Sequence, residues 1–490
     1  MDIKETILEI VNSETSRYSN VAIEKLVLIM MKDYIKSQNK NIEETGYKMF
    51  DMLLPNGMDN ISESIAVEIK IYRHKRLVLK AILDTVNRFQ SIRGDINKLL
   101  LIVVNELSDN LIEVIKEKKK QLDFELILWD INDLVEVFSK NEELFVEVFN
   151  NLNTVLLKDT IDNGLDRDNS TYLEKRKKYL EQLKSEYEND NIVLFLGAGA
   201  SSDAKIATWD TLISKLFVLL IDKRLNAKQI QIEEDDKKKI SEKILSQNGN
   251  SPLLQTRFLR TGFESDFEES VRDILYSNAD KTSKLLEEIG QLCIPNRGKL
   301  GIRAIVNYNF DDLVEKNLKR LRVKYHSIYG EGMVPDSDEL GIYHVHGFLP
   351  QEKEDYDNLT RSLLVFSEEG YHKLMLEPYN WANISQLNYM INNTCVFIGL
   401  SMTDPNMRRL LEIAAQKKID NNEECQHYAI MRRFTIEDSS GNDSIKSFER
   451  VNESLQEAFF KELGVNIIWV DKFDEIPSLL KQIKNNCENI

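Results

Sequence analysis

The chain has 490 residues, more than the roughly 250 to 300 at which a single hydrophobic core stops growing, so two or three domains are expected. Hydrophobic residues make up 42% of the chain and charged residues 30%, which excludes a protein that is disordered throughout. The net charge of -17 excludes a chain that coats nucleic acid over its whole surface, although it permits a local basic groove.

Cysteine usage and the N-terminus bear on the cellular compartment. The four cysteines form no C-x-x-C pair, so neither a zinc ribbon nor a disulfide framework is predicted: Cys293, Cys395, Cys425 and Cys487. The first residues contain no apolar signal core, and the longest apolar runs are far shorter than a membrane span. We therefore expect a soluble, cytoplasmic protein that does not contact a membrane.

Residues 1–150 are predicted to form a small α/β domain. Apolar residues from Val21 to Tyr34 recur at helical spacing, Met49 to Leu54 is a predicted strand, and Ile65 to Tyr72 is its hairpin partner. Two further apolar runs, Leu99 to Val104 and Phe124 to Trp129, are separated by a polar helix, which predicts strands joined by a crossover.

Two carboxylates and a lysine fall on the predicted hairpin. Asp51 lies in the first strand, and Glu68 and Lys70 lie two residues apart in the second, so they share a face. This pattern resembles the PD-(D/E)xK restriction-endonuclease-like family, and the helix before it carries Glu24. The resemblance implies that Asp51 and Glu68 bind Mg²⁺, that Lys70 orients the attacking water, and that DNA is a partner. Asp59 is an alternative to Asp51 as metal ligand.

Two basic clusters in this domain have two interpretations. Residues 73–76 and 116–120 are rich in Arg and Lys and could contact phosphates. The alternative is that both are solvated helix faces.

Residues 151–190 are predicted to be a charged helical linker, and residues 191–490 a second domain. The strand Ile192 to Leu196 opens this domain, and a helical insertion runs from Thr208 to about Leu292, interrupted by an acidic loop from Glu233 to Asp236. Further strands are predicted at Ile302 to Tyr308, Tyr343 to His346, Cys395 to Leu400, His427 to Met431 and Val465 to Val470. Strands separated by helices predict a doubly wound parallel sheet.

The first strand of this domain runs into the small-residue turn Gly197 to Ser201, ahead of a helix. Glycines let the backbone approach a pyrophosphate, and a helix N-terminus attracts negative charge, so the turn predicts a phosphate site. The alternative is a tight turn required only for packing. A dehydrogenase is disfavoured, because the acidic ribose ligand expected at the end of the next strand would fall in a predicted helix.

Three later segments follow the glycine turn in order: Val306 to Leu313 (V-N-Y-N-F-D-D-L), His346-Gly347, and Gly399 to Ser401. Together with the turn, they resemble the T-Q-N-I-D, H-G and G-x-S segments of the sirtuin family. The resemblance implies a Rossmann-like sheet of sirtuin type, with NAD as cofactor and substrate.

The resemblance also implies a role for each matching residue. The phosphates and the adenosine side of NAD would be bound by Gly197, Ala198, Gly199, Ser201, Gly399 and Ser401. Asn309 and Asp311 would position the nicotinamide ribose and the carboxamide, and His346 would be the base. A neutral imidazole near pH 7 can accept a proton from a ribose hydroxyl or from water.

Several of these residues also have structural interpretations. His344 is expected to be structural, because His346 and not His344 precedes glycine, although both would face one side of a strand. Asn309 and Asp311 could cap the helix that begins near Leu313.

Departures from the sirtuin pattern bear on activity. Sirtuin deacylases carry paired zinc-binding cysteines and a G-I-P-D-F-R segment; this chain has no such pairs, and Lys205 to Asp210 replaces that segment. Trp209 and Asp404 instead match sirtuin-like proteins of bacteria, unless both serve only packing or capping. The pattern is similar to sirtuin-like NADases of bacterial anti-phage defence.

The combined resemblances predict a two-domain defence effector. The C-terminal domain would hydrolyse NAD to nicotinamide and ADP-ribose, and the N-terminal domain would sense or cut nucleic acid. Such a toxic activity implies a homo-oligomer or a partner, such as an ATPase or a phage-derived trigger. Two alternatives remain: a Mg²⁺-dependent DNA nuclease whose sirtuin-like domain senses nucleotides, and an NAD-dependent protein deacylase.

Overall fold

The computed structural model describes residues 2–12, 20–43, 50–71, 78–168, 170–230, 232–247, 252–295, 301–362, 364–366, 368–420, 427–436 and 443–484. The strands within these ranges are β1 (Met52–Leu54), β2 (Ile65–Lys70), β3 (Lys98–Val103), β4 (Glu125–Trp129), β5 (Ile192–Leu196), β6 (Ile302–Asn307), β7 (Tyr325–Ile328), β8 (Leu340–His344), β9 (Thr394–Ile398), β10 (His427–Arg432) and β11 (Val465–Val470).

The helices within the same ranges are α1 (Ile3–Asn12), α2 (Asn20–Ser37), α3 (Val78–Ile92), α4 (Asp109–Lys119), α5 (Ile131–Phe138), α6 (Glu142–Asn150), α7 (Leu152–Asp166), α8 (Thr171–Glu188), α9 (Ala198–Ser201), α10 (Trp209–Asn226), α11 (Glu234–Gln247), α12 (Pro252–Phe263), α13 (Phe267–Tyr276), α14 (Lys284–Leu292), α15 (Leu313–Arg320), α16 (Glu368–Leu376), α17 (Trp381–Asn392), α18 (Pro405–Asp420), α19 (Asp443–Glu462) and α20 (Ile476–Lys484). No helix among the described residues is both long enough and apolar enough to cross a membrane.

The chain divides into two compact units. The first comprises Met1–Arg167, Ala415–Cys425 and Ile436–Glu462, and the second comprises Asp168–Ala414, Gln426–Thr435 and Leu463–Ile490. The predicted domain 191–490 therefore loses α19 to the first unit, and the predicted linker 151–190 is shared, with α7 in the first unit and α8 in the second.

Close packing between α7 and α19 explains why a C-terminal helix belongs to the first unit. Gly164 of α7 faces α19, and a Cβ at that position would lie 2.9 Å from the Cα of Val451. The missing side chain lets the two helix backbones approach directly. A salt bridge between the Arg167 guanidinium and the Glu457 carboxylate, 3.0 Å long, also joins this part of the chain to α19.

The sheet of the first unit has the order β1-β2-β3-β4. β1 and β2 are antiparallel, with Met52 opposite Val67, and the other pairs are parallel. Both faces of β3 are covered: Leu100 and Ile102 belong to one buried cluster, and Leu99 and Leu101 belong to the other. Burial on both faces explains its unbroken apolar run.

The sheet of the second unit is entirely parallel, in the order β11-β10-β9-β5-β6-β8-β7. β5 is buried along its whole length and lies between β6 and β9. After β5 the chain adds β6, β7 and β8 on one side of β5. It then crosses to the other side of β5, where it adds β9, β10 and β11. Ligands of open parallel sheets bind at the carboxyl ends of the strands at this point of reversal.

Two predictions about the second unit differ from the structure, and one strand was not predicted at all. The edge strand β7, Tyr325–Ile328, was not predicted. The segment from Glu233 to Asp236 is not a loop, because α11 begins at Glu234. The strand predicted from Tyr343 to His346 runs instead from Leu340 to His344, and His346 lies in the turn beyond it.

Candidate functional site

The glycine turn packs directly against the end of β9. A Cβ at Gly199 would lie 2.7 Å from the Cα of Gly399, and a Cβ at Gly197 would lie 2.6 Å from the carbonyl oxygen of Gly399. Gly399 itself has a φ of +69°, in the left-handed region that side chains disfavour. These glycines therefore allow two backbone segments at the carboxyl edge of the sheet to touch.

Several amides of the turn are already bonded within the protein. The N–H groups of Gly197 and Gly199 donate to the carbonyls of Ile398 and Gly399, at 3.0 and 2.9 Å, and that of Ala200 donates to Gly197 at 2.8 Å. The glycines thus do serve packing, because they let the turn bond closely to the end of β9. Ala198 and Gly199 remain exposed, so this face of the turn is open to solvent.

A buried chain of hydrogen bonds ties the loop after β6 to this turn. The Asn309 side-chain amide donates to the carbonyl of Gly197 at 3.0 Å and to Oγ of Ser201 at 3.1 Å. The Ser201 hydroxyl donates to Oδ1 of Asp311 at 3.2 Å. Ser201, predicted to contact phosphate, is fully buried and turned toward Asp311 instead, because burying its hydroxyl requires a hydrogen-bond acceptor.

Asp311 accepts the first amide of α15, whose N-cap residue, Asp312, makes no side-chain capping bond. The donor is the amide of Leu313, 3.1 Å from the same Oδ1 that accepts from Ser201. Burial raises the pKa of Asp311 to about 6, and these two donors offset only part of that shift. The contact with Leu313 agrees with the interpretation that Asp311 stabilises the beginning of α15. The Asn309 side-chain amide instead bonds to the glycine turn.

His346 lies at the carboxyl edge of the sheet, beside this loop. Its ring packs edge-on against Tyr308, with centroids 4.5 Å apart, and its Nε2 lies 3.5 Å from Oδ2 of Asp404. Its side chain remains 16% exposed. Burial lowers the pKa of His346, and the Asp404 carboxylate opposes this shift. The imidazole is therefore neutral at pH 7, which is the protonation state of a general base.

His344 has a different environment. It is buried at the end of β8, with Nε2 2.6 Å from Oε1 of Glu315 and Nδ1 3.3 Å from the carbonyl oxygen of Asn309. These contacts agree with its expected structural role. The expectation that both histidines face one side of a strand is wrong, because the turn after β8 redirects His346.

The end of β9 places the remaining predicted residues. Ser401 is exposed, and its hydroxyl lies 2.7 Å from that of Thr403. Between them Met402 has a φ of +59°, which is strained for a residue with a side chain. The predicted adenosine contacts at Gly399 and Ser401 thus border the same carboxyl edge as the glycine turn.

The sequence did not predict a role for three residues near His346 and Asp404, namely Tyr308, Gln386 and Tyr371. Tyr308 donates its hydroxyl to the side-chain oxygen of Gln386, which is fully buried. Tyr371 donates to Asp404 at 2.9 Å. Only Asp404 carried a sequence signal, the Asp-Pro pair after the G-x-S segment, and that pair is also a common helix start.

A second cluster lies in the first unit, where Glu68 is 3% exposed. Oε1 of Glu68 accepts from Lys70 and Arg88, each at 2.8 Å, and its Oε2 is buried without a hydrogen-bond partner. Asp51 accepts the amide of Ile69 at 2.7 Å. The structure thus brings the predicted residues to one hairpin, with Lys70 paired to Glu68.

Burial and repulsion between neighbouring carboxylates raise the pKa values of the acidic residues in this cluster. Burial raises the pKa of Asp51 to about 6, and the carboxylate of Glu24 adds to the shift. Burial also raises the pKa values of Glu24 and Glu68, while Lys70 opposes each shift. A nearby cation would relieve this cost, and the orphaned Glu68 Oε2 would fit as its ligand.

The fit to a metal ion is partial. In the part of the chain that the structure describes, no group of three or more Asp, Glu, His or Cys side chains is placed to hold a metal. Mg²⁺ nevertheless keeps several waters and uses one or two carboxylates, which Asp51 and Glu68 could supply. Asp59 is bonded to Tyr34 and Gln38 instead, at 2.5 and 2.9 Å.

The structure describes only one of the two predicted basic clusters. Residues 73–76 lie outside the described residues. Lys116, Lys118 and Lys119 lie in the last turn of α4, and Lys120 pairs with Glu117 at 2.7 Å. The second cluster is thus a helix C-terminus, where lysines are favoured by the helix dipole.

Comparison with known proteins gives distant relatives. A SIR2-like domain model matches residues 303–463. NAD(+) hydrolase ThsA from Enterococcus faecium is 24% identical over 323 residues, covering 63% of this chain and 58% of the relative. The ThsA proteins of Acinetobacter baumannii and Bacillus cereus are 21% and 22% identical, covering 64% and 63% of this chain and 58% and 57% of the relatives. The chain thus spans less than two thirds of these relatives, and its C-terminal region carries a SIR2-like domain.

Proposed function

We propose that the second unit binds NAD at the carboxyl edge of its parallel sheet and hydrolyses it to nicotinamide and ADP-ribose. The observation that carries this proposal is the position of His346 at the reversal point of the sheet, where its ring packs on Tyr308 of the loop that bonds to the glycine turn through Asn309. The names of the ThsA relatives, which are NAD(+) hydrolases, support the same reaction. Depletion of NAD during phage infection would be the cellular consequence.

The proposed chemistry needs few groups. Nicotinamide leaves as a neutral base when the N-glycosidic bond breaks, and water attacks the resulting oxocarbenium-like ribose carbon. His346 accepts the proton that this water or a ribose hydroxyl loses, and then releases it to solvent. The pyrophosphate would lie on the exposed face of the turn at Ala198 and Gly199, and Ser401 would face the adenosine side. Asn309 and Asp311 would hold the two loops that frame the ribose.

The test separates hydrolysis from deacylation. Purified protein is incubated with NAD, with and without an acylated peptide, phage DNA or infected-cell lysate, and nicotinamide is quantified. We expect nicotinamide and ADP-ribose without any peptide, and none from the His346→Ala variant. The Asp338→Asn variant, which removes an exposed partner of Lys324, serves as the control. Nicotinamide release that requires the peptide would favour the deacylase, and unchanged release by His346→Ala would reject the site.

The second candidate function is Mg²⁺-dependent cleavage of nucleic acid by the first unit. Two observations favour this nuclease function: the buried Oε2 of Glu68 has no hydrogen-bond partner, and the pKa of Asp51 is raised. Mg²⁺ held by Asp51 and Glu68 would supply a Lewis acid for phosphodiester hydrolysis. Lys70 would orient water once released from Glu68. The PD-(D/E)xK resemblance and a DNA partner belong to this proposal.

Restraint of a toxic activity requires a further component. We infer a homo-oligomer, or a partner such as an ATPase or a phage-derived trigger, acting in the cytoplasm. Size-exclusion chromatography with light scattering of the full chain, before and after addition of infected-cell lysate, measures the assembly directly.

A further inference from the structure

Asp404 is held rigidly at the beginning of α18. Its Oδ1 accepts the amide of Met407, at 2.8 Å, which is the usual contact of a helix N-cap. The same oxygen accepts the hydroxyl of Tyr371, at 2.9 Å. Because Oδ1 accepts two hydrogen bonds, the orientation of the carboxylate is fixed. Its Oδ2 therefore points away from these two donors.

The direction of the Tyr371 hydrogen bond is unambiguous. The amide of Asn406 donates to the Tyr371 oxygen at 3.0 Å, so the single phenolic proton is free to be donated to Asp404. The Asn406 side chain in turn donates to Asn383 at 2.9 Å, and both asparagines are buried. The carboxylate is therefore the end of an ordered network that connects α16, α17 and α18.

His346 lies at the open end of this network. Its Nε2 is 3.5 Å from Oδ2 of Asp404 and is buried, with no hydrogen-bond partner among the described residues. Tyr308 packs against the imidazole ring, and Tyr371 is bonded to the same carboxylate; burial raises the pKa values of both phenols, so both are neutral. Asp404 is the charged group that acts on the imidazole.

We propose that Asp404, oriented by Tyr371, is a positioning residue that binds Nε2–H of His346 and thereby leaves Nδ1 as the proton acceptor. This inference rests on the proposed NAD hydrolysis. The distance of 3.5 Å is long for a hydrogen bond, and such contacts commonly shorten when substrate binds. A carboxylate in this position selects one tautomer and stabilises the imidazolium that forms when the proton is taken.

The Asp404→Asn variant tests the proposal through catalysis. Its side-chain oxygen can still accept from Met407 and Tyr371, but its amide then faces His346 and favours the tautomer that carries a proton on Nδ1. We expect kcat to fall by roughly 10- to 100-fold, with KM for NAD changed by less than about threefold. Because the carboxylate opposes the lowered pKa of His346, its loss should also move the acid limb of the kcat profile to lower pH.

Tyr371→Phe provides the milder variant. It keeps the Asp404 carboxylate but removes one of the two bonds that orient it, so kcat should fall less than in Asp404→Asn and the acid limb should stay near its wild-type position. Asp338→Asn is the matched control, since it removes an exposed carboxylate near the amino end of β8, away from the carboxyl edge. A change in KM alone, or full activity of Asp404→Asn, would overturn the proposal.

Nitrogen-15 NMR of histidine-labelled protein tests the tautomer without any turnover. The His346 resonances are identified by their absence from His346→Ala, and the shifts of the two ring nitrogens report which one carries the proton. We expect Nε2–H in the wild type and Nδ1–H in Asp404→Asn. Nδ1–H in the wild type would reject the role of Asp404, even if NAD is hydrolysed. Nε2–H in a wild type that never cleaves NAD would instead leave Asp404 in place and reject the proposed function.

Discussion

Buried ionisable side chains at the carboxyl edge of the second sheet make the candidate site costly to fold. Asp311 is 1% exposed, and it holds both the glycine turn, through Ser201, and the beginning of α15. Its raised pKa means that its ionised form is less stable in the folded protein than in the unfolded chain. Buried ionisable groups of this kind lower the stability of the fold while holding the site in a fixed geometry.

The raised pKa of Asp311 predicts that the Asp311→Asn variant is more stable than the wild type at high pH. The pKa of Asp311 is about 6 when folded and 3.8 when unfolded, so its ionisation destabilises the fold above pH 6 and has no effect well below pH 4. Asn retains an acceptor oxygen for Ser201 and Leu313. We expect its free energy of unfolding to exceed that of the wild type by about 1–3 kcal/mol at pH 8, with the difference shrinking as the pH falls from 6 toward 4. Urea unfolding at several pH values measures this, and a difference that does not vary with pH would contradict the cause given.

The sequence predicted which residues gather at the site better than it predicted what each contacts. The segments around Gly197, Asn309, His346 and Gly399 do meet at the sheet edge, because parallel strands bring their carboxyl ends together. Hydrogen-bond direction could not be predicted, so the burial of Ser201 was missed. The network around Asp404 was missed because its members come from three successive helices and meet only through tertiary packing, which leaves no local sequence pattern.

At the level of elements, the contact between the end of β9 and the glycine turn connects the two halves of the second sheet. β5 pairs with β9 in register from Ile192 to Leu196, and the glycines extend this approach beyond the last paired residues. The contact is made of backbone atoms, so it tolerates no side chain at Gly399.

Two glycine variants measure this contact. Gly399 and Gly332 both have positive φ values, of +69° and +79°, but a Cβ at Gly332 would meet nothing within 4 Å. Gly332→Ala should therefore cost only the backbone strain, about 1 kcal/mol. Gly399→Ala should cost about 2–4 kcal/mol, because it adds a collision with the backbone at Ala200. Thermal unfolding compares them, and equal losses would mean that the two segments separate easily.

Local pattern predicted strands more reliably than it predicted which unit an element belongs to. Strands β5 and β11 have the bounds expected from their apolar runs. The edge strand β7 was missed because it is short and polar, Tyr-His-Ser-Ile. Helix α19 was assigned to the wrong unit, because its contact with Gly164 is between positions distant in sequence and leaves no local signal.

At the scale of the whole molecule, two candidate sites lie in separate compact units: the Asp51 and Glu68 cluster, which we propose as a nuclease site, and the carboxyl edge of the second sheet, which we propose as an NAD site. Separate substitution of the two sites tests which of the two proposed activities, if either, protects the cell from phage. Phage protection is compared for the wild type, Glu68→Gln, Lys70→Met and His346→Ala. If NAD hydrolysis is the effector, His346→Ala should abolish protection and the loss of NAD after infection.

The variants of the first unit then report on sensing. If the first unit only detects infection, Glu68→Gln should delay NAD loss without changing the activity of the purified protein toward NAD. Protection that survives His346→Ala but not Glu68→Gln would make the nuclease the effector and the second unit a nucleotide sensor. Immunoblots of all four proteins control for expression, since Glu68 is buried with two cations paired to it.

A crystal structure of the His346→Ala variant with NAD tests directly whether NAD binds at the carboxyl edge of the second sheet. We expect the pyrophosphate at the exposed face of Ala198 and Gly199, and the nicotinamide ribose between the Asn309 loop and the space left by the imidazole. Its anomeric carbon should then be within reach of a water that His346 would deprotonate. NAD bound away from the carboxyl edge of the sheet, or with its nicotinamide directed away from residue 346, would contradict the account.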